Sequence, residues 1–210
     1  MGSATLSRWE TVEQWSPTLF LLGGCLMAGH AALSGIRAFT ELATPPDVFV
    51  TVGHFVALVG LLGLYPVLVD RTPVVARIAR AVLVVAAASW CVMTGTQLLA
   101  LAGIVASLEA VLPDSFFMIV LTTTILTYGL FGISALRADR QSRRVGLFVL
   151  APGGLTVVLI VNSAIGGANA VAGVGIGGGL TLSMLALGYI LRSWGGQSER
   201  TPPVGDASAG

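Results

Sequence analysis

His30 and His54 are the only histidines in 210 residues, and both stand inside long apolar stretches. An ionisable side chain in such surroundings is a functional candidate by default. Three chemistries fit the pair. It can supply the two axial ligands of a b-type haem, since a neutral imidazole is a haem ligand. It can hold another metal ion or ligand. It can also be neutral and hydrogen-bonded between helices. Axial ligation by two histidines needs both at one depth. At 1.5 Å per residue His30 lies roughly 13 Å below the end of its segment and His54 roughly 9 Å. Boundary error is about 5 Å, so the two depths coincide. Against haem stands spacing: neighbouring helix axes are about 8–10 Å apart. Arg37 is also the sole cation near that end for the propionates.

Other polar side chains gather in the same half of the sequence segments. Arg37 follows His30 by seven residues with Ser34 between them, which puts all three on one helix face. Arg37 either pairs with Glu41 or snorkels to the interface. Thr94, Thr96 and Gln97, then Thr122, Thr123 and Thr124, then Asn162 and Ser163 fall in this half. The other half holds chiefly Ser89, Thr127, Tyr128 and Thr156. This distribution predicts a polar, outward-facing cavity lined by His30, Ser34, Arg37, His54, Thr94, Gln97 and Asn162. The competing reading is interhelical hydrogen bonding, worth about 0.6 kcal/mol per bond in a membrane. None of the ten acidic residues falls in a predicted helix core; Glu41, Asp47, Glu109 and Asp114 read as external loop residues. That argues against proton or sodium coupling, which places an ionisable partner in the bundle. A channel or an uncoupled carrier stays open.

The elements that must position these residues follow from composition. Apolar residues are 55% of the chain and charged residues 10%, with a mean hydropathy of +0.89. A soluble domain, a disordered tail and a disulfide scaffold are thereby excluded. A spanning helix needs about 20 mostly apolar residues, and six segments qualify: 17–39, 48–69, 80–106 (with an interfacial turn from Thr72-Pro73), 116–136, 145–164 and 171–191. Ser16-Pro17, Thr72-Pro73 and Asp114-Ser115 are helix-start chemistry. The fold class is all-α, a polytopic transmembrane six-helix bundle over residues 17–192. Residues 1–16 form a cytoplasmic segment in which SRWETVEQW suits an interfacial helix. Residues 193–210, rich in Gly, Pro and Ser, form a disordered cytoplasmic tail.

All 11 basic residues are Arg, which excludes chemistry that needs lysine. Ten of them fall on one side of the six segments and only Arg37 on the other. The positive-inside rule puts the ten in the cytoplasm, so both termini are cytoplasmic in an inner (cell) membrane. Trp9, Trp15 and Trp194 suit an aromatic belt there. No cleavable signal peptide, nucleotide loop or Cys-x-x-Cys spacing is present, and a net charge of +1 attracts no nucleic acid. Cys25 and Cys91 read as small packing residues. Gly24, Ala28 and Ala32, and Gly175, Gly179 and Ser183, recur every four residues, for packing within the monomer or in a homodimer. Pro152-Gly153-Gly154 predicts a kink, and the glycines of 166–179 a flexible loop and a loose helix start. GLLGLYPVLVDR (60–71) and GLFGISALRADR (129–140) match at five of twelve positions, as a duplicated helical hairpin would.

The stretches GHFVALVGLLGLYPVLVDR, FGISALRADRQSRRVGLFVLAPGG and LALGYILR resemble small multi-pass membrane proteins of GC-rich bacteria and archaea, mostly of unknown function. The resemblance covers the second to sixth segments. It implies a six-helix membrane fold and transfers no catalytic residue. Three readings of function remain. The first is a non-enzymatic binding, sensing or permeation module. The second is a small b-type cytochrome with His30 and His54 as ligands. The third is a structural subunit beside other membrane proteins in the lipid bilayer.

Overall fold

The computed structural model describes residues 8–40, 47–138, 140–166 and 170–198, with side chains placed from 12 onward except at 140–142, 170 and 194–198. The described residues are helical: α1 (Arg8–Phe39), α2 (Val48–Leu62), α3 (Tyr65–Arg71), α4 (Pro73–Leu101), α5 (Asp114–Ala138), α6 (Arg140–Ala164) and α7 (Ala170–Ser198). Five of these are long and apolar enough to cross a membrane, and α2 with α3, bent by 47° at their junction, make a sixth if the pair counts as one span. The all-α, polytopic class expected from composition is what the chain adopts.

The helices form a closed ring. α1 packs on α2, α2 on α4, α4 on α5, α5 on α6, α6 on α7, and α7 returns to α1; α3 touches α4 and α5. Short connections make sequence neighbours antiparallel. One end of the bundle therefore collects Arg71, Arg77, Arg137, Arg143, Arg144 and Arg192, and the other collects Arg37, Asp47 and Asp114. These are called below the arginine end and the Asp47 end. Phe20, Met27, Leu58, Leu61, Leu83, Phe131, Met184 and Leu187 fill the interior. Leu22, Val84, Met118, Leu126, Leu147, Val158 and Leu182 point outward and exposed. That much apolar outer surface on every side suits hydrocarbon and not water. The chain is a multi-pass integral membrane protein.

Several boundaries differ from the sequence expectation. Ser16-Pro17 does not start α1, which runs from Arg8 and takes in residues 8–15 of the expected interfacial segment as one continuous helix. Its 32 residues span about 48 Å, longer than the roughly 30 Å hydrocarbon core. Ser16 is spent instead on a side-chain hydrogen bond to the Gly60 carbonyl, 2.8 Å away. The second crossing breaks at Gly63-Leu64 because Pro66 lacks the N–H that would continue α2 and suits the first turn of α3. α4 runs straight from Pro73 and stops five residues early. Gly103 (φ 72°) closes it, with Gly103 N–H to the Ala100 carbonyl and Ile104 N–H to the Leu99 carbonyl. α6 starts at Arg140 and passes through Pro152 without a break. α7 is helical from Ala170 to Ser198, so its glycines are not a loop. They let it approach α1: a Cβ on Gly177 would lie 3.2 Å from both Ala31 Cβ and His30 Cδ2. Gly24 and Gly179 likewise face Leu185 and Leu155 within the chain. Cys25 and Cys91 are exposed on the outer surface and do not pack. Residues 199–210, most of the expected tail, lie outside the described residues.

Candidate functional site

The N-cap of α2 carries the feature that the sequence reading misplaced. Asp47 is not a solvated loop residue: its side chain is 9% exposed. Two residues of α1, one face apart by two turns, hold it there. His30 Nδ1–H donates to Asp47 Oδ2 at 2.5 Å, and Arg37 Nη1 lies 3.7 Å from the same oxygen. The Val50 amide faces the carboxylate without closing a cap hydrogen bond. Burial alone would push the Asp47 carboxyl up; the His30 hydrogen bond and charge, with Arg37, outweigh it and hold the group below its ordinary value. Its other oxygen, Oδ1, is buried and has no partner among the described residues. Glu41, the partner expected for Arg37, lies outside the described residues.

His54 has different company. Its ring stacks on Trp90 of α4 at 4.3 Å between centroids and 3° between planes. Its Nδ1–H donates to the Val50 carbonyl at 3.0 Å. Trp90 Nε1–H donates to Thr124 Oγ1 on α5 at 2.8 Å. The three side chains make one buried layer that ties α2, α4 and α5 together.

That layer fixes relative depth. Asp47 precedes His54 by seven residues on α2, and Gln97 follows Trp90 by seven on antiparallel α4. Both therefore stand about 10 Å from the layer, toward the same end. Seven residues are two turns, so each stays on the face that carries the stacked ring. Thr94 lies one turn above Trp90 on that face. Gln97 Oε1 and Thr94 Oγ1 are, like Asp47 Oδ1, buried without a partner. Most neighbouring hydroxyls are satisfied within their own helix. Thr96 bonds to the Val92 carbonyl, Thr124 to Val120, Thr123 to Ile119, and Ser163 to Leu159. Interhelical bonding therefore accounts for few of these residues.

Of the seven expected lining residues, the structure gathers His30 and Arg37 on Asp47 and sets Gln97 level with Asp47, with Thr94 one turn lower on the same face. His54 lies in the layer beneath. Ser34 is buried and faces Gly173 of α7. Asn162 is half-buried on α6, which packs on α5 and α7 and not on α2. Sequence reasoning missed Trp90, read Asp47 as a loop acid, and counted Thr124 among the polar residues of this half without its bond to Trp90. A lone acid directly before an apolar helix, at the end holding a lone arginine, was the available signal for Asp47.

A haem between His30 and His54 finds no support in this packing. A Cβ on Gly53 would lie 3.3 Å from the Gly23 carbonyl oxygen, so α1 and α2 meet backbone to backbone. A Cβ on Gly29 would touch the Phe49 ring at 3.0 Å, which sets His30 level with Phe49 and about 7 Å above His54. Equal depth fails because α1 projects past the start of α2, so their ends are not level. Among the described residues no group of three or more His, Cys, Asp or Glu side chains suits a metal ion. No family model, curated protein or solved structure matches this chain.

Proposed function

We propose that the protein is a non-enzymatic binding module of the cell membrane that takes up a small polar solute at the Asp47 end, between α1, α2 and α4. The observation that carries this reading is the buried carboxylate of Asp47, fixed through one oxygen and left bare at the other. A buried polar atom without a partner costs about 1–3 kcal/mol, and three such atoms among the described residues, on Asp47, Gln97 and Thr94, stand on the same side of the His54–Trp90 layer. Water or a solute that supplies the missing bonds recovers that energy. The arginine distribution supports placing this end outward, with both termini cytoplasmic.

Cysteine accessibility tests the reading. Cys25 and Cys91 are replaced, and Thr94→Cys and Thr127→Cys are made singly. In intact cells Thr94→Cys should react with a small uncharged methanethiosulfonate, and Thr127→Cys, below the Trp90 layer, should not. An inert Thr94→Cys in a folded protein would remove the proposal.

A further inference from the structure

The bare atoms also select the chemistry of the occupant. Asp47 Oδ1 and Gln97 Oε1 accept hydrogen bonds and cannot donate them. They offer an anion no hydrogen bond. A cation gains little here, because Arg37 already answers the carboxylate charge at 3.7 Å. If His30 is neutral the His30–Asp47–Arg37 group sums to zero, and if it is protonated the sum is +1. In neither state does the site carry net negative charge. Asp114, which enters the same end from α5, is exposed and sits at the start of its helix. Thr94 Oγ1 can both give and accept, and the Gln97 amide nitrogen can donate. Below them the stacked rings of His54 and Trp90 make an aromatic floor, with the His54 Nδ1–H spent on the Val50 carbonyl.

We infer that the solute is small, uncharged and a donor of hydrogen bonds, an amide N–H or an alcohol O–H, received by Asp47 and Gln97 above the His54–Trp90 floor. This rests on the binding module proposed above. The reading also agrees with the lack of any second buried acid among the residues whose burial is described, since a neutral solute needs no counter-charge.

Four probes of similar size decide the matter: acetamide, ethylene glycol, acetate and methylammonium chloride. The purified full-length protein is melted in detergent with each, up to 100 mM, at fixed ionic strength. Acetamide or ethylene glycol should raise Tm saturably by several degrees, and whichever acts at lower concentration identifies amide or alcohol as the group received. Acetate and methylammonium should do no more than sodium chloride. Asp47→Asn and Gln97→Leu should each weaken the acetamide or ethylene glycol effect tenfold or more. Gln97→Leu keeps the buried charge cluster intact, so it decides the test if Asp47→Asn fails to fold. A shift from acetate or methylammonium that equals or exceeds both neutral probes overturns the inference. So does a neutral-probe shift that Gln97→Leu leaves unchanged. Thr94→Cys reactivity separates two failures: a reactive cysteine with no neutral-probe effect sinks the solute class alone, and an inert one sinks the site as well.

Discussion

At the scale of single residues, Asp47 carries most of the chemistry, and its environment makes a pH prediction. Its folded pKa lies below the ordinary value, so the ionised form is favoured in the folded state. The associated stability is fully present above the unfolded pKa, near 4, and is lost as pH falls through the lower folded value. Melting temperature should therefore drop as pH is lowered below about 4, and the acid limb should flatten in Asp47→Asn. A mutant whose acid limb matches the native one would show that the His30 and Arg37 contacts do not stabilise the carboxylate. Tyr128 poses the opposite case. It is fully buried and its hydroxyl has no partner among the described residues. Tyr128→Phe removes an unsatisfied group, so thermal melts should show no loss, or a gain of up to about 1 kcal/mol. A loss above about 1 kcal/mol would mean that the hydroxyl has a water partner in the bundle. Trp90→Phe keeps the stack on His54 and forfeits the bond to Thr124, an expected cost of about 0.6 kcal/mol in a membrane.

At the scale of elements, the close approach of α1 to the second crossing sets the geometry that brings His30 to Asp47. Gly63 stands at the bend between α2 and α3, where a Cβ would lie 2.5 Å from Ser16 Cβ and 2.9 Å from the Val12 carbonyl oxygen. A backbone oxygen cannot rotate away, so Gly63→Ala must push α1 off the bend. The expected cost is about 1–3 kcal/mol, read as a lower melting temperature. A neutral Gly63→Ala would show that the bend yields. Helix existence was legible from apolar length alone: five of the six expected segments are long single helices, and the second is the bent pair α2 and α3. Their ends were less so, because the stop signals compete. Pro17 and Pro152 sit inside continuous helices, while Pro66, which drew no attention beside its apolar neighbours, marks a break. The glycines of α7 read as a loop by composition, yet they serve packing against α1 and α6, which only the neighbouring helices decide. The two stretches suspected of duplication differ in shape: 60–71 contains the 47° bend, whereas 129–138 is unbroken α5.

At the scale of the whole molecule, the ring order follows from short connections, and the ring is what turns a sequence of scattered polar residues into a site. Depth along one helix was readable by counting; which residue of the next helix stands opposite was not. That is why Asp47 passed for a loop acid and His30 and His54 for a matched pair. Relative depth needed two long-range facts, the His54–Trp90 stack and the Gly23–Gly53 contact, and neither has a local signal. The same ring separates charge by end. Arg71, Arg77, Arg137, Arg143, Arg144 and Arg192 share one end, and the side chains of Arg137, Arg143, Arg144 and Arg192 are exposed. Moving such a group through hydrocarbon is costly, so the orientation proposed above keeps the arginine end on the side of synthesis. With Cys25 and Cys91 replaced, Arg143→Cys should resist a membrane-impermeant maleimide in whole cells and react once the cells are opened. Thr94→Cys, near the opposite end, should keep its reactivity toward the small uncharged reagent in both preparations. Labelling of Arg143→Cys in intact cells would invert the molecule and place the Asp47 site on the cytoplasmic side, where its solute would have to be sought inside the cell.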